Sequence, residues 1–187
     1  MTVLFNLAQR KPGVTPEGVK PVLSVANPNY AGSGTAARPQ VDDDPLAMLA
    51  ARSRYGAAGG SLAPLPHTGL ESQWVAQVFG KHGTVVGHLR QADATEKWLR
   101  HFVPGRRILH VACHGLADQS YGNFFGALAL TPGANAIDAT DDGFLTLAEI
   151  YDLDLANCEL AILSACQTNY GQNQRGEGVW AISRGFL

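Results

Sequence analysis

The sequence predicts an α/β fold with a mainly parallel sheet. Apolar stretches of strand length alternate with stretches of helical spacing, the pattern of strands joined by crossover helices. Arg107–Cys113 ("RILHVAC") is continuously apolar in character, as a strand buried on both faces is, and Glu159–Ala165 ("ELAILSA") is a further apolar run of strand length. The composition agrees: 45% hydrophobic and only 16% charged suits a domain with much buried sheet, and 187 residues suffice for one sizeable core.

The elements follow in order. Pro21–Ala26 ("PVLSVA") reads as the first strand, ended by the turn signals of "NPNY". Asp44-Pro45 offers an N-cap and an N1 proline for a helix through "LAMLAARSRY" to Gly56. Thr68-x-x-Glu71 has the capping-box pattern, and Leu70, Trp74, Val78 and Phe79 are spaced for one face of the helix it opens. Thr84–Leu89 is the second strand, and Asp93-x-x-Glu96 starts a helix with Trp98, Leu99 and Phe102 apolar. After the third strand, Arg107–Cys113, a glycine-bearing loop "HGLADQSYGNFFG" leads to a short extra strand, "ALALT". Asp141-Asp142-Gly143 is a turn, Thr146-x-x-Glu149 caps a short helix, and Glu159–Ala165 is the fourth main strand. From Gly178 the chain reads as helical. The glycine-rich stretches Ala31–Pro39 and Gly56–Gly69 read as loops within one domain, because core elements flank both, and there is no internal repeat. Residues 1–20 read as an N-terminal extension and 21–187 as the domain.

Several function classes are disfavoured. A net charge of -2 gives no electrostatic case for nucleic acid or an anionic membrane. The apolar runs are too short to span a bilayer, and the opening "MTVLFNLAQRKPGVTP" lacks a signal-peptide pattern. Three cysteines make no disulfide framework, so reduced thiols and a cytoplasmic location are expected. Gly176-Glu177-Gly178 has no following Lys and no full glycine pattern, which argues against a phosphate loop.

In parallel α/β sheets, chemistry gathers at the carboxyl ends of strands. Two strands here end in reactive residues, the third at Cys113-His114-Gly115 and the fourth at Cys166, in "LSACQTNYG". An imidazole beside a thiol raises its thiolate fraction or takes its proton during attack, and later protonates the leaving amine. The oxyanion needs N–H donors, which the backbones of Gly115 and Cys166 can supply. Taken singly, a strand-end His is more often structural and a Cys after an apolar strand more often core; their joint placement favours a dyad of His114 and Cys166. His110, Cys113 and His114, with Cys158 or Cys166, invite a zinc reading, but the spacing is no zinc-finger pattern and Cys113 and His114 point to opposite strand faces. No metal or cofactor is therefore expected. Cys113 reads as core. His110 shares a face with His114 and either supports the site or packs, with packing the expectation; His67, His82, His88 and His101 read as solvated. Asp118 and Glu177 are close in sequence to the dyad and read as solvated loop charges rather than pocket residues.

"RILHVACHGLAD", "DDGFLTLAEIYDLDL" and "CELAILSACQTNYGQNQRGEGVWAISRGFL" resemble the CHAT domain, a caspase-like family associated with TPR repeats, and "LSVANPNY" and "LPHTGLESQWVAQVFG" resemble its earlier segments. The resemblance covers about residues 20 to 187. It implies a caspase-like three-layer α/β/α sandwich and a cysteine endopeptidase that cleaves proteins or itself. His114 maps onto the general base, Cys166 onto the nucleophile, and the backbone of Gly115 and Cys166 onto the oxyanion donors. A protein or peptide substrate is the implied partner, with control by a TPR-containing region or a further C-terminal region. The chain stops 21 residues after Cys166, where the resemblance implies at least two more strands, so a domain lacking its last strands is expected. The rival readings are a non-catalytic signalling or scaffold module that keeps the fold, and a hydrolase of small amides. A low-pKa Cys166 favours an enzyme over a scaffold.

Overall fold

The computed structural model describes residues 16–30, 62–116, 126–133, 141–165, 173–174, 178–179 and 185–186. Strands β1 (Val22–Pro28), β2 (Val86–Gln91) and β3 (Ile108–Ala112) alternate with helices α1 (Pro66–Gly80) and α2 (Glu96–Phe102). Three-residue strands β4 (His114–Leu116), β5 (Ala127–Ala129) and β6 (Phe144–Thr146) follow, then helix α3 (Leu147–Tyr151) and strand β7 (Leu160–Ser164). Asn173–Gln174 (β8) pairs antiparallel with Gly178–Val179 (β9).

β1, β2, β3 and β7 form one sheet in the order β2-β1-β3-β7, every pair parallel. Its two faces differ because side chains alternate along each strand. On one face Leu23, Val25, Leu89, Leu109 and Val111 join Leu99, Val103, Ile150 and Leu153, from α2, α3 and the residues just after them, in an apolar core. On the other, Ser24, His88 and His110 stand side by side in register. Helix α1 covers that face, with Ser72 buried and 2.7 Å from Ser24. Helices on both faces make the three layers expected, and β3 is buried on both faces, as its apolar character predicts.

Several local expectations change. The helix expected from Asp44 to Gly56 lies outside the described residues. Thr68 and Glu71 do not form a capping box. Helix α1 starts earlier, at Pro66, whose missing N–H suits the first turn, and Thr68 instead accepts from Asn27 N. Leu70, Trp74 and Val78 share a face, but that face is exposed, because α1 turns Ser72 toward the polar side of the sheet. β2 runs two residues later than expected, since pairing with β1 begins at Val86 opposite Val22. Helix α2 is capped by Thr95, which accepts from Trp98 N, and not by Asp93. The Thr146–Glu149 capping box is present in full. The loop expected after Cys113 holds β4, in a second, antiparallel sheet of order β4-β5-β6. Gly178–Val179 is strand where a helix was expected to open.

Glu96 ties α2 to the turn before β6. Its Oε1 accepts from Gly143 N at 2.8 Å and Phe144 N at 3.0 Å, and Arg100 reaches its Oε2 at 3.3 Å. Burial, with the carboxylates of Glu149 and Asp142 nearby, outweighs those donors and pushes the Glu96 carboxyl up to about 9. The folded protein then holds a proton there that the unfolded chain releases near 4.5, so this contribution to stability is present in acid and lost as pH rises toward about 9. Glu96→Gln keeps the acceptor for both amides. Its unfolding free energy is expected to fall less than the wild type's between pH 5 and pH 9, by more than about 1 kcal/mol. Parallel melting curves at several pH values check this, and identical slopes would sink it.

Candidate active site

The last paired residues of β3 and β7 are Ala112 and Ser164, and Cys113 N donates to Ser164 O at 3.3 Å. The third and fourth main strands are therefore parallel neighbours, as expected. His114 follows Ala112 by two residues and Cys166 follows Ser164 by two. Cys166 itself, with Asp118 and Glu177, lies outside the described residues.

His114 opens β4, half-buried, with its ring 5.4 Å from that of Tyr30. Its Nε2 lies 2.9 Å from Ala63 O. A carbonyl only accepts, so Nε2 carries the hydrogen, and in the neutral ring the lone pair sits on Nδ1. That atom can accept a proton. Tyr30 bridges β4 and β5: its hydroxyl donates to Ala129 O at 3.1 Å and accepts from His114 N at 3.3 Å. Burial raises the Tyr30 phenol above its ordinary value, with the Cys113 thiol adding to it, so it serves as a neutral donor.

The buried Gly115 lies opposite Leu128 of β5. Bonds from Leu130 N to Gly143 O and Leu147 N to Gly126 O bracket the β5–β6 ladder. Leu128 therefore spends its own amide and carbonyl on β6, and Ala127 and Ala129 turn theirs toward β4. By the same alternation the Gly115 N–H points away from β5, which leaves it outside that ladder.

Cys113 is core, as expected. It belongs to the apolar cluster, and burial pushes its thiol up to about 12. A thiol so placed is neither a nucleophile nor a ready metal ligand at neutral pH. His110 is on the other face, buried and hydrogen-bonded to Ser24 and to Glu71. Among the described residues no group of three His, Cys, Asp or Glu is placed to hold a metal ion. His67, His82, His88 and His101 are exposed, as expected, though His88 also contacts Ser72 and Arg90. Sequence reasoning missed Tyr30, the Ala63 carbonyl and Glu71. Tyr30 ends "LSVANPNY" but its bonds need the fold, a carbonyl has no sequence signal, and Glu71 has the spacing of a capping-box residue.

A parallel sheet in this order, sandwiched between helices, with a histidine two residues beyond its third strand, fits a caspase-like α/β fold. The family model of the CHAT domain matches residues 6–187, and the chain belongs to that family. Membership places it with the caspase-like cysteine peptidase families. A search of curated proteins finds no match for the chain. Among the described residues no helix is long and apolar enough to cross a membrane.

Proposed function

We propose that this chain is a cysteine endopeptidase domain in which Cys166 attacks a peptide carbonyl and His114 is its general base. The observation that carries the reading is the pairing of Ala112 with Ser164, which sets the segments leading to His114 and Cys166 off from adjacent parallel strands at one sheet end. The Cys166 S–H proton passes to His114 Nδ1 as sulfur bonds to the carbonyl carbon. The N–H groups of Gly115 and Cys166 stabilise the oxyanion. The amine then leaves with the proton from Nδ1, and a thioester remains. Water, deprotonated by His114, hydrolyses it to the free acid and restores the thiol. Nothing in this sequence of steps calls on a metal or organic cofactor. The substrate is a protein, or this chain itself, and a reducing compartment such as the cytoplasm suits a working thiolate.

Brief labelling of the native full chain with iodoacetamide or a peptidyl ketone electrophile, followed by mass spectrometry, tests the proposal. Cys166 is expected to label first, and Cys113, with its thiol held at about 12, last. Labelling of all three cysteines at one rate, as in denatured protein, would instead leave a scaffold that keeps the fold without the chemistry.

A further inference from the structure

We propose that Glu71 is a positioning residue for the Cys166–His114 reaction, its carboxylate clamping β3 to β7 at the sheet end from which both reacting residues follow. The inference rests on the peptidase reading above. Glu71 Oε1 accepts from His110 Nε2–H at 3.2 Å, and Glu71 Oε2 accepts from Ser164 Oγ–H at 3.0 Å. One carboxylate on α1 thus holds side chains of both strands. His110 is itself fixed from behind, its Nδ1 2.9 Å from Ser24 Oγ, which donates to Ser72 Oγ at 2.7 Å. Ser72 is the residue after Glu71, so the bonds close a ring through α1, β3, β1 and back to α1.

The clamp sits where β7 needs it. Among the described residues β7 pairs with β3 alone, and its outward Leu160 and Ile162 remain 49% and 36% exposed. Packing on that face therefore does little to fix its last residues. Ser164 precedes Cys166 by two residues, and His110 precedes His114 by four across the bend at Cys113 that leads from β3 into β4, so the clamp lies within a short segment of each reacting residue. A displacement of about 1 Å at the nucleophile is enough to cost ~100-fold in rate.

The test uses the full chain and reads both alkylation of Cys166 and peptide cleavage. Glu71→Ala is expected to slow both by about 10- to 100-fold with KM within about 2-fold, because geometry rather than substrate binding is lost. Alkylation of Cys158 serves as the internal control and should not change. Glu71→Gln can accept from His110 and donate to Ser164, so it should return within about 3-fold of wild type. Ser164→Ala, which cuts only the β7 leg and answers the question if Glu71→Ala does not fold, should fall between the two. Folded Glu71→Ala or Ser164→Ala protein at wild-type rates would overturn the clamp, as would a Glu71→Gln variant as slow as Glu71→Ala. The peptidase reading fails separately: a wild type whose Cys166 reactivity ignores His114→Ala removes both proposals, whereas His114-dependent reactivity indifferent to Glu71 and Ser164 removes this one alone.

Discussion

His114→Ala is expected to lower kcat for peptide cleavage by about 100- to 10,000-fold, the usual worth of a positioned general base. Cys166→Ala should abolish turnover, since no thioester can form. The imidazole lost in His114→Ala is the one oriented by Ala63 O and Tyr30, with its lone pair free on Nδ1. KM should move little, because the ring's part is proton transfer in the transition state. The double variant should be no slower than Cys166→Ala, for the two groups act as a unit. Steady-state kinetics on a peptide substrate, with folding checked by circular dichroism, measures all three. Full activity in Cys166→Ala would end the mechanism, and full activity in His114→Ala would require another base.

Leu109→Ala is expected to destabilise the domain by about 2–5 kcal/mol, the range for a leucine truncated in a core that cannot collapse. Leu109 has 0% exposure and lies on β3, paired with β1 on one side and β7 on the other. Its side chain enters the layer with Leu99 and Ile150, so the strand cannot shift inward to fill the space without breaking two ladders. Trp74→Ala is the contrast. Trp74 is far larger but 61% exposed, and its removal should change stability by less than about 0.5 kcal/mol. Urea unfolding with an unchanged m-value checks both. A Leu109→Ala cost under about 1 kcal/mol would contradict the core assignment.

What was legible in the sequence was local or strongly patterned. The Thr146–Glu149 box could be read because its partners lie within one turn. β3 could be read because it is buried on both faces, and the adjacency of β3 and β7 followed from their motifs. Glu71 was misread because its side chain answers to His110 and Ser164, 39 and 93 residues away, rather than to its own helix. Leu70, Trp74 and Val78 show the limit of periodicity: spacing identifies a face, but only the surface opposite decides whether that face is buried. β4 and β6 escaped notice because three residues are too few to display a period of two. In the candidate site, His114 and Gly115 stand out by residue type and position, whereas the groups bonded around His114, Tyr30 and the Ala63 carbonyl, come from distant chain.

The unlike faces of the main sheet bear on fold uniqueness. Strand pairing by backbone alone tolerates slippage, since every register offers similar ladders. A slip of β3 by one residue would thrust His110 into the apolar layer without a partner and turn Leu109 toward Ser24 and Glu71. Burying a polar ring unbonded costs about 1–3 kcal/mol, and the serine and carboxylate left behind would be unmatched too. An all-apolar sheet would lack this penalty for error. The histidine in the middle of the sheet thus acts as a key cut for one alignment, rejecting near-native arrangements in which the ends of β3 and β7 would no longer stand level.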